Sequence, residues 1–198
     1  MAHVTTDASG ITRCGWAAVE PETSYHDEEW GFPLDGDNAF FERVCLEGFQ
    51  SGLSWRTILN KRESFRSAFA GFDIEQVARF GDADVARLLG DAGIVRHRGK
   101  IEAAINNAQR AEELIEVEGS LPGFFWRYEP TAEPEPQSMT TSPESVALSK
   151  ELKKRGWKFV GPTTMFALMQ ASGIVNDHAE DCVIRDRVAA AREVVVRP

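Results

Sequence analysis

Apolar residues recur three and four positions apart along most of this chain, and glycine or proline breaks the pattern at short intervals. The clearest stripe begins after Asp37 and ends at Gly52. Its members are Phe40, Phe41, Val44, Cys45 and Phe49. Residues at this spacing share one face of a helix, so each stripe predicts a helix that buries one side. Because the alternation typical of strands is nearly absent, we predict an all-α fold.

Capping residues and helix breakers place the other predicted helices. Ser54, Asp73 and Asp82 are suited to cap helix N-termini, and Pro143 and Pro162 are suited to the first helical turn. The further helices predicted on this basis span residues 54–69, 74–80, 83–89, 99–117, 142–155, 162–172 and 184–194.

Two segments are expected to differ from the helical body. Residues 1–12 are small and polar, which predicts a flexible tail ahead of a single domain over residues 13–198. Residues 129–142 contain three prolines among acidic residues and almost no large apolar side chain. This composition predicts an exposed loop.

The charge balance bears on the partners of the chain. With 22 basic and 31 acidic residues the net charge is −9, whereas proteins that bind nucleic acid usually present a basic face. The basic residues are clustered, however. Residues 149–159 hold five lysines and arginines with a single acid, and residues 96–100 hold a second basic group. A local positive surface with a short-ranged field is compatible with this distribution.

Cysteine usage and hydropathy indicate the compartment. Three widely spaced cysteines do not make a disulfide framework, and no apolar run approaches the ~20 residues of a membrane span. No secretory signal is visible at the start of the sequence. We therefore expect a cytoplasmic protein.

Two cysteines and two histidines near the ends of the sequence could complete a zinc shell. Cys14 and His26 are separated by eleven residues, and His178 and Cys182 are four positions apart. Zinc favours four such ligands, and a shell filled by protein would be structural because no position is left for water. The two pairs lie about 150 residues apart, which matches no standard zinc finger. On spacing alone, unrelated buried cysteines and ordinary histidines are the favoured interpretation.

The segment Gly156–Thr164 carries a second signal. A short turn with two glycines leads into a helix that begins at Pro162, so consecutive backbone N–H groups would point outward and bind an anion. The basic residues around it are Lys153, Lys154, Arg155 and Lys158. Phosphate contacts of this kind position a protein on a duplex without reading its sequence. A solvated lysine face is the commoner meaning of such a run, although the glycine and proline spacing favours DNA.

A third signal combines aromatic rings with a carboxylate. Glu47 follows the apolar stripe, so its side chain can point into an enclosed space, and Tyr25, Trp30 and Trp55 supply flat faces. A buried carboxylate is costly unless a cation neutralises it, and a planar cationic ligand would also be attracted by the rings. Alternatively, Glu47 is an exposed acid at a helix end and the tryptophans belong to the core. Composition does not decide between these interpretations.

Together these segments resemble the 3-methyladenine DNA glycosylase I family of the helix–hairpin–helix DNA glycosylase superfamily. The matching stretches are Arg13–Trp16, Tyr25–Gly31, Cys45–Gly48, Gly52–Trp55, Asp91–Ile101 and Leu148–His178. They cover nearly the whole chain in the family's order. The resemblance implies a helix–hairpin–helix glycosylase fold of two lobes with the active-site cleft between them, and a zinc site that joins the N- and C-terminal segments.

The resemblance also implies roles for individual residues. The four metal ligands would be Cys14, His26, His178 and Cys182. Glu47 would be the catalytic, base-recognising acid, and Tyr25 and Trp55 would bind the base with it. The aromatic signal described above adds Trp30 to the expected base-binding residues. The DNA contacts of the hairpin would come from Lys154, Lys158, Gly161 and Thr163. Leu53 is expected to fill the gap left in the duplex, because apolar wedges stabilise unstacked steps, or else to belong to the core.

The implied activity is base excision repair by a monomeric enzyme on alkylated double-stranded DNA. Such an enzyme flips 3-methyladenine out of the stack, hydrolyses its N-glycosidic bond and releases the base. Bifunctional relatives carry a lysine just after the hairpin, whereas Thr163 or its neighbours stand there in this chain, so strand cleavage is not expected. Whether Asp177 replaces the catalytic aspartate of other superfamily members is open. The competing interpretations are a non-catalytic zinc-stabilised DNA-binding module and a protein that binds a small cation.

Overall fold

The computed structural model describes residues 3–196, which are mostly helical. The helices are α1 (Glu22–Glu28), α2 (Asp37–Gln50), α3 (Trp55–Ala68), α4 (Ile74–Ala78), α5 (Asp82–Gly90), α6 (Arg98–Glu118), α7 (Leu121–Trp126), α8 (Pro143–Lys154), α9 (Pro162–Ala171) and α10 (Arg185–Glu193). Two short strands, β1 (Val4–Thr6) and β2 (Thr12–Cys14), pair in antiparallel fashion. The prediction of a helical fold is confirmed, with this hairpin as an addition.

Side-chain caps fix the helix starts largely as the sequence predicts. Ser54 Oγ accepts a hydrogen bond from the Thr57 amide at 3.2 Å, and Asp73 Oδ1 accepts one from the Gln76 amide at 2.9 Å. The predicted cap at Asp82 is wrong. Helix α5 is instead capped at Gly81, whose amide donates to Asp84 Oδ2 at 3.1 Å, because the carboxylate of the third helical residue reaches back to the chain entering the helix.

The N-terminal segment forms a hairpin within the stretch for which the sequence predicts a flexible tail. Within residues 3–12, Val4–Thr6 pair with Thr12–Cys14, and the Asp7 carboxylate accepts hydrogen bonds from the amides of Ser9 and Ile11. An aspartate that bonds amides ahead of it stabilises a tight turn, which closes the hairpin. Met1 and Ala2, which the predicted tail includes, and Arg197 and Pro198 at the other end lie outside the described residues.

Helix α2 lies at the centre of the main core. Its Phe41 and Phe49 are fully buried, and the Phe49 ring lies 4.6 Å from that of Phe65 on α3. Burying a phenylalanine contributes about 2–3 kcal/mol, so several such rings hold α2 firmly against its neighbours. The last turn of α2 carries Glu47, which is therefore presented from a rigid support.

A second, smaller apolar cluster joins the two ends of the chain. Its buried members include Cys14 and Tyr25 from the N-terminal segment and Cys182 and Val188 from the C-terminal segment. Helix α1, which the sequence analysis did not predict, supplies Tyr25 and His26 to this region. Within residues 3–196, every helix is too short or too polar to cross a bilayer.

Candidate functional site

A cavity of about 420 Å³ opens beside the last turn of α2. It is lined by Trp16, Glu22, Tyr25, Trp30, Glu47, Gln50, Trp55, Gln137, Met139, Ala167, Gln170 and Asp177. The cavity therefore brings together all four residues that the sequence analysis assigned to base binding, although they come from separate segments. Trp16, Gln137 and Met139 are additional lining residues that were not singled out.

Glu47 is enclosed by this cavity. Its side chain is 5% exposed, and no group among residues 3–196 donates a hydrogen bond to its carboxylate. Burial raises the pKa of Glu47 to about 7, while the nearby Arg43 guanidinium opposes the rise. An acid that is buried and without a hydrogen-bond donor can be neutralised by a proton or by a cationic ligand. The alternative of an exposed acid at a helix end is therefore wrong.

Aromatic rings form the walls around Glu47. The rings of Tyr25 and Trp55 lie 5.3 Å apart at a tilt of 51°, and those of Trp16 and Trp30 lie 5.0 Å apart edge to face. Their π faces carry partial negative charge, which favours a flat cation over a neutral ring of the same size. The cavity thus combines shape and charge selection.

Arg43 contacts Tyr25, a residue of the cavity wall, and the sequence analysis does not identify it. It is buried, its guanidinium carbon lies 5.0 Å from the centre of the Tyr25 ring, and it donates a hydrogen bond to the Tyr25 hydroxyl. Burial also raises the pKa of Tyr25, so the phenol keeps its proton. Since the Tyr25 oxygen accepts from Arg43, its own proton is left to donate elsewhere. An arginine four residues before a glutamate within an apolar stripe is the signal that could have identified this residue.

Asp177 forms part of a second wall. One carboxylate oxygen accepts a hydrogen bond from the backbone N–H of Gln137 at 2.8 Å, and the other accepts one from the side-chain Nε2 of Gln170 at 2.5 Å. The side chain is buried, and burial raises its pKa despite these hydrogen bonds. Both oxygens are engaged in holding the wall together.

The four predicted metal ligands lie together between the two chain ends. Cys14, His26, His178 and Cys182 are all buried, and their ligand atoms lie within 4.8 Å of one another. Cys182 Sγ is 3.5 Å from both His26 Nε2 and His178 Nδ1, and Cys14 Sγ is 3.7 Å from His178 Nδ1. Adjacent nitrogen and sulfur ligands of a tetrahedral zinc ion are separated by roughly 3.5 Å, so these donors fit such an ion.

The second nitrogen of each histidine is also engaged. His26 Nδ1 lies 2.7 Å from Asp27 Oδ1, and His178 Nε2 lies 3.0 Å from the Trp30 carbonyl oxygen. Acceptors at these positions fix the ring orientation and leave the other nitrogen free to bind a metal, an arrangement common around bound ions. The Cys14 thiol faces the Cys182 sulfur, which raises the pKa of Cys14 and lowers that of Cys182.

The predicted DNA-contacting hairpin lies beside the last turn of α2. Lys154, Lys158 and Thr163 are exposed and Gly161 is half-buried. Both side-chain groups of Asn107 on α6 hold the hairpin, since Oδ1 accepts from the Lys158 amide at 2.8 Å and Nδ2 donates to the Lys158 carbonyl at 2.9 Å.

Leu53 follows a sharp turn at the end of α2. Gly52 adopts a φ of 78°, which a residue with a side chain rarely tolerates, and Leu53 is 40% exposed. The alternative that Leu53 belongs to the core is therefore wrong. Leu53 is therefore a partly exposed leucine on the turn that follows α2.

Two residues of the predicted basic surface have other roles. Lys100 is buried, and its Nζ donates to the carbonyls of Phe49 at 2.9 Å and Ser51 at 2.6 Å, which closes the end of α2. Arg155 pairs with Glu118 and Glu151. The basic surface is therefore narrower than the sequence indicates, because runs of charge do not reveal which members are neutralised locally.

Similarity to known proteins agrees with this geometry. Residues 16–186 match the family model described as methyladenine glycosylase. The chain is 46% identical over 180 residues to DNA-3-methyladenine glycosylase 1 of Escherichia coli (strain K12), covering 87% of this chain and 96% of that protein.

Solved structures are similar over the same extent. A crystal structure of 3-methyladenine DNA glycosylase I has a TM-score of 0.82 and 43% identity, and covers 86% of this chain and 98% of that chain. A tyrosine-to-phenylalanine variant of 3-methyladenine DNA glycosylase I, in complex with 3-methyladenine, has a TM-score of 0.81 and 36% identity. That match covers 87% of this chain and 96% of the variant.

Proposed function

The chain belongs to the methyladenine glycosylase family, and from the geometry of its cavity we propose that Glu47, Tyr25, Trp30 and Trp55 bind the alkylated base. The enzyme is a DNA-3-methyladenine glycosylase that acts in base excision repair and hydrolyses the N-glycosidic bond of the lesion. The alternatives of a non-catalytic module and of a small-cation binding protein are set aside on these grounds. The observation that carries the assignment of the site is the buried carboxylate of Glu47 among aromatic rings, which accepts no hydrogen bond from the described part of the chain.

Glu47 acts on the positive charge of the base. Methylation at N3 makes adenine cationic and weakens the bond to the sugar, so the protein does not need a strong general acid. The ionised carboxylate accepts a hydrogen bond from the exocyclic amine of the flipped base and complements the charge of the ring. Normal adenine is neutral and would leave Glu47 buried and unneutralised, so the same carboxylate disfavours undamaged bases.

Tyr25 and the tryptophans orient the base. Arg43 occupies the Tyr25 oxygen, so the phenolic proton is directed away from Arg43 and can donate to the base. Trp55 provides the stacking face and Trp30 closes the pocket toward the metal cluster. Thr163 or its neighbours stand where bifunctional enzymes carry a lysine, so we propose that the enzyme does not cleave the strand.

Excision of the base tests the role of Glu47. A charged hydrogen bond is worth about 1.5–3 kcal/mol, so Glu47→Gln should reduce kcat/KM for release of 3-methyladenine from alkylated duplex by roughly 10- to 150-fold. Glu112→Gln, an exposed position on α6, is the matched control and should retain wild-type activity. Undiminished activity in Glu47→Gln would refute the assignment.

The duplex is held by the hairpin and by Leu53. We propose that Lys154 and Lys158 neutralise phosphates, and that the backbone around Gly161 and Thr163 lies against the sugar–phosphate chain at the start of α9. Leu53 fills the space vacated by the flipped nucleotide. The short distance of both features from the end of α2 supports this arrangement, because the cavity opens at the same place.

We further propose that Cys14, His26, His178 and Cys182 bind one structural zinc ion. Four protein ligands fill a tetrahedral shell, so the ion would join the chain ends and not activate water. Elemental analysis of protein purified without chelator should find one zinc per chain. Cys182→Ala should lose the metal while Cys45→Ala, which alters the buried cysteine outside the cluster, keeps it. Absence of stoichiometric zinc, or equal retention in both variants, would overturn the proposal.

The remaining features proposed for the enzyme are its compartment and its assembly. We propose a cytoplasmic enzyme, because three buried cysteines without disulfides suit a reducing compartment. We propose a monomer, which size-exclusion chromatography with light scattering would test.

A further inference from the structure

Helix α10 lies almost wholly beyond the part of the chain that matches the family. The family match ends at residue 186, whereas α10 spans Arg185–Glu193. The helix is firmly attached, because Val188 is fully buried in the cluster that joins the chain ends. Its last turn carries Arg192, which is only 9% exposed.

Arg192 holds the acidic loop over residues 129–142. Its guanidinium donates to Glu129 Oε1 at 3.0 Å and to a carboxylate oxygen of Glu133. The same group also donates to the Ile174 carbonyl at 3.2 Å, which fixes its own position. Arg185, at the start of α10, lies 3.6 Å from the second oxygen of Glu133. Two arginines of one helix thus hold the beginning of the loop.

The same loop forms a wall of the base pocket a few residues later. Gln137 and Met139 line the cavity that contains Glu47. The backbone N–H of Gln137 donates a hydrogen bond to the Asp177 carboxylate. This bond attaches the loop to the segment that follows α9. Between Glu133 and Gln137 there are only three residues, so displacement of one end of this segment moves the other.

We propose that α10 is a brace for the base pocket and that Arg192 is the residue that positions the wall made by Gln137 and Met139. This inference rests on the proposed base-binding role of the cavity. It assigns a purpose both to the acidic loop, whose charge is used to bind Arg192, and to a C-terminal helix of which the family match includes only the first two residues. Arg192 touches neither the base nor the reacting bond and acts through the position of the loop.

Steady-state excision combined with hydrogen exchange tests the brace. Arg192→Met keeps the aliphatic stem but removes the guanidinium. It should raise KM for alkylated duplex roughly tenfold and change kcat less than twofold, because a loosened wall binds the base less well in the ground state and the transition state alike while Glu47 is untouched. The amides of residues 133–139, including that of Gln137, should exchange faster, and those of α2 should not. Arg79→Met, which breaks an exposed pair with Glu75, is the control and should leave both readouts unchanged.

A second variant covers the case in which Arg192→Met fails to fold. Glu129→Gln combined with Glu133→Gln weakens the same contacts from the loop side and should reproduce the rise in KM and the local exchange. Arg192→Lys, which keeps the charge, should restore part of the lost affinity. A KM within twofold of wild type for a folded variant would overturn the brace, as would unchanged exchange at Gln137. Failure of the wild-type protein to release 3-methyladenine would instead refute the proposed function.

Discussion

Replacement of Glu47 by glutamine should make the enzyme more stable while it reduces activity. The folded protein holds the Glu47 carboxyl in a buried cavity that raises its pKa from an ordinary value of 4.5 to about 7. Folding therefore opposes ionisation of this group, and the wild-type protein loses stability as pH rises through the interval between these two values. Glutamine has nearly the same shape and cannot ionise, so the variant escapes this loss.

The expected size of the effect follows from the two pKa values. A rise from 4.5 to about 7 corresponds to about 3 kcal/mol of unfolding free energy, fully expressed above pH 7 and absent below pH 4.5. For a chain of this length, each kcal/mol shifts the melting temperature by roughly 2–4 °C. Glu47→Gln should therefore melt roughly 6–12 °C above wild type at pH 8, and the difference should shrink steadily toward pH 5.

Thermal unfolding of both proteins at half-unit intervals from pH 5 to pH 8 provides the assay. The difference between the two curves isolates Glu47, because every other titrating group is common to both. Glu112→Gln, on the exposed side of α6, should follow wild type at every pH. A difference that is zero or negative at pH 8, or one that does not change with pH, would refute the idea that Glu47 is a buried acid awaiting a cation.

Three further perturbations test the parts around Glu47. Arg43→Met removes the positive charge that opposes the rise in the Glu47 pKa. The carboxylate should then ionise at a higher pH, so the pH at which affinity for 3-methyladenine is half-maximal should move upward. An unmoved midpoint in tryptophan-fluorescence titrations would contradict this. Lys154→Glu combined with Lys158→Glu should weaken duplex affinity and reduce the slope of log K against log salt by about 2, whereas an unchanged slope would show a merely solvated surface. Leu53→Ala should raise KM for duplex severalfold and leave affinity for the free base unchanged, while Val146→Ala, another exposed apolar residue, should alter neither; a loss of free-base affinity would place Leu53 in the pocket instead.

The sequence could predict those parts of the fold that depend on local patterns. Helices α2, α3, α6 and α9 have apolar stripes, glycine ends or proline starts, and the structure places them within a few residues of the predicted bounds. Helix α1 has only seven residues, too few for a periodic stripe, and it was missed although it carries Tyr25 and His26. Short elements depend on the tertiary contacts that stabilise them, which no local pattern contains.

The sequence predicts only part of the candidate site, because several of its features also depend on tertiary contacts. Composition alone did not decide whether Glu47 is buried, and only the packing of α2 against its neighbours settles that. Spacing favours unrelated residues over a metal site because the two Cys and His pairs are about 150 residues apart, yet the fold brings all four ligand atoms within 4.8 Å of one another. Arg192 and Glu133 are likewise distant in sequence, and Arg43 lies hidden in an apolar stripe. Contacts across such distances become visible only once the chain has folded.

The position of the four Cys and His residues has a consequence for synthesis of the enzyme. Cys14 and His26 leave the ribosome about 150 residues before the partners that they need, His178 and Cys182. Tyr25 and Trp30 flank His26 along the same stretch and form part of the base pocket. A nascent chain can bury the phenylalanines around α2 before that point, yet its pocket is finished only when Gln170 and Asp177 have also been made. A prematurely terminated product would therefore hold a core without an assembled catalytic site, and would not excise bases.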